Sequence, residues 1–545
     1  MRRRDLSKAL LASAAGPLLV SDRASAVAAP TEGRTAAEIE AAVDPVDARY
    51  APGDVRRYGA KGDGVSDDTH AFQLAIDVAR RPNHGPYLAP SGAGAGVVKI
   101  PAADAFYLLA GPLDCTFTAT ANPRGILFQG DAGPSPGTPT IIAKHKGHVF
   151  DLTGFDSAVF ENLSIGTDTT VNPETCFFLA RNHSRSGAGY HRFRNVRVHG
   201  KFSRAILYNY GSESNVYSEC LWCNESASAN AKVAVFTFAN IFGLTSTFAP
   251  VATGPQSCID HQILGGNFFL IAGGAEADVF YLDGANNVKI FGPWMDSGVR
   301  SHGRALIYVD STNAASNAGE VFGLQGEVGT ATQEYGLYFD GQTVNTASSW
   351  TIAGCWLPSA KYAIYCASNT TLDHFHISNL REPVARGVSA EGVIQNSTID
   401  SGVLPLSVGI SRRNTLMGDS SRWSIKARDH DFWIDSGAAN KTWRPGAESL
   451  QIRGQLTISN ASCVFHGPLI TLCATLTASS SIECPLGTLM SGLPAPAVGA
   501  SALVNVCDAA SGAAIGSGMV TGSKLVLPAI PAVRSIVISA SYFTG

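Results

Sequence analysis

The pattern of apolar and polar positions changes along the chain. Between residues 69 and 79 apolar side chains recur with the i, i+3, i+4, i+7 spacing of one helix face, at Phe72, Ala75, Ile76 and Ala79. From about residue 97 short apolar runs alternate with Gly, Asn, Asp and Ser, a pattern typical of short strands joined by turns. The sequence therefore predicts one amphipathic helix followed by a long β-rich region.

The segment before the helix is predicted to be a short strand and a tight turn. Val55 to Tyr58 suit a strand, and the glycines between residues 59 and 64 supply turn positions with φ > 0. The carboxylates of Asp63, Asp67 and Asp68 are explained by turn and helix-cap chemistry rather than by a catalytic cluster. A helix at this place suggests a cap over an exposed sheet end.

The β-rich region contains a repeated phrase of two apolar residues followed by a strand-ending position. Its occurrences are Val149–Asp151, Phe178–Ala180, Leu207–Asn209, Tyr281–Asp283, Tyr308–Asp310, Tyr338–Asp340 and Tyr365–Ala367. Successive copies lie 27 to 30 positions apart, except across an insertion near residues 241–258. A repeat of this length holds two or three short strands. It is too short for a propeller blade, and it lacks the helices of an α-solenoid. It fits one coil of a β-helix.

The N-terminal signature is similar to that of a known family. Tyr58-Gly-Ala-Lys-Gly-Asp-Gly-Val-Ser-Asp-Asp-Thr69, followed by Val97-Val-Lys-Ile-Pro101, resembles the opening of pectate lyase superfamily proteins. That group includes polygalacturonase-like and rhamnogalacturonase-like proteins and phage tailspikes. The resemblance implies an all-β fold, a right-handed single-stranded parallel β-helix with an N-terminal capping helix. It does not imply a particular reaction, because lyases, hydrolases and binding proteins share the signature.

The chain is predicted to have five parts. Residues 1–29 read as a twin-arginine signal peptide with Arg3-Arg4 and an apolar stretch too short to span a bilayer. Residues 30–53 are predicted to be a linker, 54–410 the β-helix, 411–445 a connector and 446–545 a small C-terminal β-sandwich-like module. The signal predicts an exported protein of the periplasm or the extracellular space, without a membrane anchor.

The composition of the chain limits the kinds of molecule that it is expected to bind. The formal net charge of −4 over 545 residues offers no polyanion-binding surface, which argues against nucleic acid. The eleven cysteines are interpreted mostly as small apolar packing residues. Cys220 and Cys223 have metal-knuckle spacing, but no second Cys or His pair accompanies them at zinc-site distance, and positions i and i+3 of a strand face opposite sides. No metal site is predicted there.

The strongest catalytic candidates are Asp283, Asp310 and Asp340, which end three copies of the repeated phrase. If coils stack in register, neighbouring carboxylates lie about 5 Å apart. Carboxylates this close raise each other's pKa, so that one can stay protonated and act as an acid. The same column could bind Ca²⁺ through its oxygens. The alternative is turn chemistry alone, because each Asp precedes a Gly or Ser.

A second group of candidates is local in sequence. Asp296 follows Trp294 and lies near Arg300 and His302, so an acid, a cation, an imidazole and an aromatic ring are close together. Trp294 and Trp356 could stack on sugar faces, with packing inside a coil as the alternative. Asp296 and Asp340 are the substitutes for Asp283 and Asp310 as the acid/base pair.

The sequence thus predicts an exported polysaccharide-degrading enzyme, a glycosidase or a polysaccharide lyase, that acts in a lateral groove of a β-helix. The alternative is a non-catalytic glycan-binding or adhesion protein similar to a prophage tailspike, which could form a homotrimer. The long groove of a β-helix suits a polymeric ligand, and clustered Asp and Trp residues suit sugars.

Overall fold

The structure is a computed structural model that describes most of the chain between residues 34 and 543. The described ranges are 34–80, 96–117, 125–131, 140–182, 189–253, 257–296, 303–327, 335–341, 346–357, 362–380, 388–395, 397–400, 406–411, 415–417, 423–429, 432–435, 441–444, 456–466, 469–484, 487–491, 502–521, 524–527 and 530–543. The predicted signal peptide lies outside the described residues.

Three parallel sheets form the body of the protein, and successive strands of the chain visit them in turn. Sheet A contains β1 (Val97–Ile100), β4 (Leu127–Gly130), β7 (Val159–Glu161), β10 (Arg192–Arg194), β13 (Val216–Ser218), β16 (Gln262–Leu264), β19 (Lys289–Phe291), β22 (Glu320–Phe322), β26 (Thr351–Ala353), β29 (His376–Ser378), β31 (Thr398–Asp400), β33 (Thr415–Met417), β35 (Phe432–Asp435) and β36 (Lys441–Arg444). Sheet B contains β2 (Tyr107–Leu109), β5 (Ile141–Ala143), β8 (Ser164–Thr167), β11 (Arg197–Gly200), β14 (Leu221–Asn224), β17 (Asn267–Leu270), β20 (Trp294–Asp296) and β23 (Gln325–Glu327).

Sheet C carries the strands of the repeated phrase. It contains β3 (Leu113–Asp114), β6 (His148–Asp151), β9 (Thr175–Ala180), β12 (Ala205–Tyr210), β15 (Lys232–Thr237), β18 (Asp278–Asp283), β21 (Ala305–Asp310), β24 (Tyr335–Asp340), β25 (Thr346–Ser348), β27 (Tyr362–Cys366), β28 (Thr371–Asp373), β30 (Val388–Gln395), β32 (Leu406–Ser411) and β34 (Trp423–Asp429). Because successive coils add their strands to the same sheets in parallel register, with sheet B ending at β23, the fold is the predicted right-handed parallel β-helix.

The core is a set of stacked side chains between the three sheets. Phe128, Phe160 and Phe193 occupy equivalent positions on successive strands of sheet A, and their rings stack with centroids 4.5 and 5.0 Å apart. Tight corners let the chain pass from sheet A to sheet B through two residues, as between β7 and β8. At this corner Asn162, Asn195 and Gly265 have φ near +50° to +63°, a conformation that Asn and Gly adopt most readily.

The predicted capping helix is present, but the segment before it is not a strand. Helix α2 (Thr69–Ala79) buries the predicted apolar stripe, and Phe72 contacts Tyr107 edge to face at 5.3 Å. Val55–Tyr58 forms a 3-10 helix that ends at Gly59 with φ of 103°. The prediction of a strand was wrong because Asp54 caps this turn and the buried Arg57 pairs with Glu38 of helix α1 (Ala36–Glu40), a partner that lies outside the local pattern.

The three acidic residues near α2 have the structural roles predicted for them. Asp67 accepts a hydrogen bond from the backbone N–H of Thr69, and Asp68 accepts from those of Lys61 and Gly62. Backbone N–H groups of Ser66 and Val65 lower the pKa of Asp63 to about 2. These carboxylates therefore hold the turn and the helix start.

Parallel pairing continues past Ile410 into the segment predicted as a connector. Strands β33 and β35 extend sheet A, and β36 then pairs antiparallel to β35. The last seven strands form one antiparallel sheet where the sequence predicts a sandwich-like module. They are β37 (Leu456–His466), β38 (Leu469–Cys484), β39 (Gly487–Ser491), β40 (Ala502–Asp508), β41 (Ala514–Thr521), β42 (Lys524–Leu527) and β43 (Ile530–Phe543). None of the helices in the described ranges is long and apolar enough to cross a membrane.

Candidate active site

Three aspartates form a column on the outer face of sheet C. Asp283, Asp310 and Asp340 end β18, β21 and β24 and are direct register partners. Adjacent strands of a sheet lie about 4.8 Å apart, so the three Cα atoms span only about 10 Å. The structure brings together these three predicted residues although the chain separates them by whole coils.

A second column, made of tyrosines, runs beside the aspartates. Tyr281, Tyr308, Tyr338 and Tyr365 are register partners on consecutive strands. The hydroxyl of Tyr281 donates to Oδ2 of Asp310 at 2.6 Å, and that of Tyr308 donates to Oδ2 of Asp340 at 2.5 Å. Burial raises the pKa of both phenols well above its usual value. The tyrosines therefore remain donors at any physiological pH.

Asp283 is the most buried member of the aspartate column. Its side chain is 0% exposed, and Oδ2 accepts hydrogen bonds from Thr237 Oγ1 at 3.0 Å and Asn313 Nδ2 at 2.9 Å. Oδ1 has no hydrogen-bond partner among the described residues. Burial raises the pKa of Asp283 to about 6, and the neighbouring charge of Asp310 acts in the same direction. Asp283 can thus hold a proton on Oδ1 in mildly acidic solution.

Cations lie next to the tyrosine column. Arg304 donates to both carboxylate oxygens of the buried Asp278, at 3.1 and 2.7 Å, while its guanidinium lies 3.2 Å from the centroid of the Tyr308 ring. Lys232 Nζ lies 2.9 Å from Asp278 as well. Burial lowers the pKa of Lys232, and Asp278 opposes this shift. One carboxylate therefore faces two cations at the start of β18, the end of the strand opposite to Asp283.

A segment of the predicted insertion closes one end of the aspartate column. Residues 238–253, here called the strap, lie over the outer face of the earlier strands of sheet C. Tyr208 donates to Asn240, and Tyr210 donates to the carbonyl of Ala252. A cleft of 390 Å³ lies at the edge of the strap, lined by Tyr210, Phe238, Ala239, Asn240, Leu244, Thr245, Val251, Ala252, Thr253 and Asn313. Because Asn313 also donates to Asp283, this cleft adjoins the aspartate column.

The other predicted residues lie elsewhere. Trp294 and Asp296 are on β20 of sheet B, with Trp294 43% exposed, so neither shares a face with the aspartate column. Trp356 pairs with Gln325, which in turn pairs with Trp294. The two tryptophans therefore lie in one column of sheet B, two coils apart. Arg300 and His302 lie outside the described residues.

Sequence reasoning missed the hydroxyl donors and the cations. The signal was present for the donors, because a Tyr precedes the Asp by two positions in Tyr281–Asp283, Tyr308–Asp310 and Tyr338–Asp340. On a strand such a pair faces one side, so the two columns could have been predicted together. Arg304 and Asn313 carry no such repeated signal.

The aspartate column can carry out proton transfer between neighbouring carboxylates. Glycosidic bond cleavage uses two carboxyl groups roughly 5–9.5 Å apart, and the Cα atoms of neighbouring aspartates in this column lie about 4.8 Å apart. The column does not fit a calcium cage, which needs six to eight oxygen ligands. Tyr281 and Tyr308 direct hydroxyl protons at carboxylate oxygens that calcium would need.

The chain matches known proteins only in the comparison with solved structures. No protein-family model and no curated protein sequence matches the chain. Among solved structures, the surface adhesin PfbA of Streptococcus pneumoniae has a TM-score of 0.44 at 14% identity, covering 77% of this chain and 97% of its own. The A-module of the mannuronan C-5 epimerase AlgE4 of Azotobacter vinelandii has a TM-score of 0.42 at 13% identity, covering 70% of this chain and 100% of its own.

A third similar structure is the tailspike gp49 of the Acinetobacter baumannii bacteriophage Fri1, a capsular polysaccharide depolymerase. Its TM-score is 0.32 at 9% identity, over 82% of this chain and 79% of its own. At such values the assignment of the fold rests on the register of the chain's own sheets and on its N-terminal signature. By both, the protein is a right-handed parallel β-helix protein.

Proposed function

We propose that the protein is an exported enzyme that cleaves a polysaccharide on the outer face of sheet C. Asp283 and Asp310 form the acid/base pair, and Asp340 is the next carboxylate along the groove. The observation that carries the proposal is the in-register column of three carboxylates. Two of them, Asp310 and Asp340, each accept a hydrogen bond from a tyrosine hydroxyl. The stacked coils form a face that runs along the β-helix, and such a face suits a chain of sugars.

The two members of the pair differ in environment, as an acid and a base must. Asp283 is buried, with a pKa raised to about 6 and one oxygen free to carry a proton. Asp310 is half-buried and accepts hydrogen bonds from Tyr281 and from the backbone N–H of Thr312. The same pair serves a hydrolase, as acid and nucleophile or base, or a lyase, as base and acid.

A non-catalytic glycan-binding protein is the second candidate, and the aromatic surface of sheet B favours it. Trp294 is exposed, and Trp356 follows it in the same column. Flat rings about 10 Å apart match the spacing of alternate sugar residues along a chain, since strands rise about 4.8 Å per coil. In this function the chain acts as an adhesion or tailspike-like protein, and its C-terminal sheet joins three copies into a homotrimer.

Export is part of the proposal. The Arg3-Arg4 motif and the following short apolar stretch are the features of a twin-arginine signal, which places the mature protein in the periplasm or outside the cell. There the partner is a polysaccharide, and the small net charge of −4 gives no basis for nucleic acid binding.

The test is substitution of the aspartate column in the full chain. Asp283→Asn, Asp310→Asn and Asp340→Asn are assayed on acidic and neutral polysaccharides for new reducing ends and for absorbance of unsaturated uronides. Loss of a catalytic carboxylate lowers the rate by about 10²–10⁴-fold. Absorbance with cleavage indicates a lyase, and reducing ends without it indicate a hydrolase.

Asp296→Asn is the matched control, because Asp296 lies between Asp283 and Asp310 in sequence but on sheet B. Full activity in all three column variants would contradict the catalytic assignment. Binding of a glycan without cleavage by the unmodified protein, lost in Trp294→Ala, would favour the second candidate.

A further inference from the structure

A second group of chemically reactive side chains lies on the outer face of sheet B, away from the aspartate column. His199 of β11 and Cys223 of β14 are direct register partners on consecutive coils. Glu225 follows the end of β14, and its backbone N–H donates to the carbonyl of Gly200 at 2.8 Å. The coil stacking thus brings together an imidazole, a thiol and a carboxylate that the chain separates.

The three side chains are arranged like ligands of one ion. His199 Nε2 lies 3.2 Å from Glu225 Oε1, and one potential ligand atom of each residue lies within 4.8 Å of the other two. In a tetrahedral zinc site with bonds of 2.0–2.3 Å, ligand atoms are separated by roughly 3.3–3.7 Å. Small rotations of exposed side chains bring the cluster into that range.

We propose that His199, Cys223 and Glu225 bind one Zn²⁺ ion. Nitrogen, sulfur and carboxylate oxygen are the ligand types that zinc takes in proteins. Ca²⁺ and Mg²⁺ prefer oxygen ligands alone, so the thiol selects a softer ion. Three protein ligands leave the fourth position of the tetrahedron for water.

The local surface offers space and access for the ion. Side chains of His199 and Glu225 are 62% and 34% exposed, while Cys223 is 4% exposed and lies at the floor of the group. On the coil before His199 the same column holds Gly166, which has no side chain to fill the space. An ion can therefore enter from solvent past His199 and Glu225 and reach the buried thiol of Cys223.

An ion pair between His199 and Glu225 explains only part of this arrangement. Such a pair accounts for the two exposed side chains, but it gives no role to a thiol within ligand distance of both. Binding of zinc would transfer the thiol proton to solvent, because the thiolate is the ligand. Loading at neutral pH therefore releases about one proton per ion.

The test is titration of the full chain, freed of metal and carrying no polyhistidine tag, with Co²⁺ as a spectroscopic substitute for Zn²⁺. The expected result is saturation at one equivalent with a thiolate-to-cobalt charge-transfer band, which added Zn²⁺ abolishes. Cys223→Ser is expected to remove the band. Cys220→Ser is the matched control, because Cys220 lies three positions away but faces the interior, near the carbonyl of Phe193.

A second variant keeps the test decisive if Cys223→Ser does not fold. His199→Gln changes an exposed side chain and should weaken Zn²⁺ binding by more than about 10-fold, measured by competition with a chromophoric chelator. The proposal is overturned if the unmodified protein shows no charge-transfer band with Co²⁺, if the band survives in Cys223→Ser, or if His199→Gln binds Zn²⁺ as tightly as the unmodified protein.

Discussion

The hydroxyl of Tyr281 donates a 2.6 Å hydrogen bond to Oδ2 of Asp310, which lies on the next coil of sheet C. Tyr308 makes the equivalent bond to Asp340. Each tyrosine side chain thus reaches one coil ahead and fixes the orientation of a carboxylate. Such a bond to a charged group contributes about 1.5–3 kcal/mol to stability, and in a catalytic site it also determines which oxygen remains available.

Removing this donor should lower both the activity and the stability of the protein. Tyr281→Phe keeps the ring but frees Oδ2 of Asp310, so we expect a rate decrease of about 10-fold or more, corresponding to about 1.4 kcal/mol or more. The measurement is polysaccharide cleavage together with thermal unfolding. Tyr338→Phe is the matched control, because the following coil places Ala367 where an aspartate would stand. Equal activities of the two variants would contradict a catalytic role for Asp310.

The raised pKa of Asp283 predicts a specific pH dependence of stability. The folded pKa is about 6 and the unfolded value is about 3.9, so between these values the folded state holds a proton that the unfolded state has released. The corresponding stabilisation is complete below about pH 4 and is lost as the pH rises through about 6. Polysaccharide cleavage that requires protonated Asp283 should also decline as the pH rises through about 6.

Asp283→Asn isolates this effect. An amide oxygen can still accept from Thr237 and Asn313, but it has no charge to bury, so the variant should exceed the unmodified protein in stability at pH 8 by about 1–3 kcal/mol. Near pH 4 the difference should fall to a small constant value. Urea unfolding at both pH values measures this change. A stability difference independent of pH would show that Asp283 titrates as an ordinary exposed carboxyl group.

The features that could be predicted from the sequence are those that each coil specifies locally. The spacing from Asp283 to Asp310 and Asp340 reports the coil length, and the register follows because each strand can pair only with its predecessor and its successor. The apolar stripe of α2 is equally local. A pattern that repeats once per coil therefore predicts which side chains lie in one column.

Features that depend on contacts between different kinds of element could not be predicted in this way. The 3-10 helix at Val55–Tyr58 depends on the distant partner of Arg57. His199 and Cys223 belong to one cluster only because β11 and β14 pair in a particular register, so a search for metal ligands at fixed sequence spacing misses them. Asp296 shows the converse, since its closeness in sequence to Asp283 does not place it on the same sheet.

Breaking the buried ion pair of the N-terminal cap should strongly lower the free energy of unfolding. Arg57 and Glu38 are both 0% exposed, and Nε and Nη2 of Arg57 lie 2.5 and 3.0 Å from the Glu38 oxygens. Glu38→Gln would leave the guanidinium buried without its counter-charge, which should cost about 3–5 kcal/mol. The measurement is chemical unfolding, with Glu40→Gln on the exposed side of the same helix as the control.

The same pair predicts loss of stability in acid. Burial alone would raise the pKa of Glu38, but hydrogen bonds from Arg57 and Thr35 outweigh it and lower the pKa below its usual value. Its contribution is therefore present above about pH 4.3 and lost as the pH falls through the folded pKa. Glu38→Gln should show less of this acid-induced loss than the unmodified protein, and an equal loss in both would contradict this role.

Asp151 attaches the strap to sheet C through hydrogen bonds from Ser246 and Thr247. Asp151 uses both carboxylate oxygens: Oδ1 accepts from Thr153, and Oδ2 accepts from the hydroxyl of Ser246 at 2.6 Å and from the backbone N–H of Thr247. An amide has one acceptor oxygen, so Asp151→Asn must turn an NH₂ group towards donors on one side. We expect a loss of about 1–3 kcal/mol and release of the strap from sheet C.

Release of the strap can be measured by limited proteolysis of the native protein. Cleavage between residues 238 and 253 should become faster in Asp151→Asn, and the Michaelis constant for the polysaccharide should change because the strap borders the cleft beside Asn313. Asp168→Asn is the matched control, since Asp168 makes the same short-range contact to a threonine two positions on, at an exposed turn. Equal cleavage rates in the two variants would show that Asp151 does not anchor the strap, and that other contacts, such as the bond from Tyr208 to Asn240, suffice to hold it.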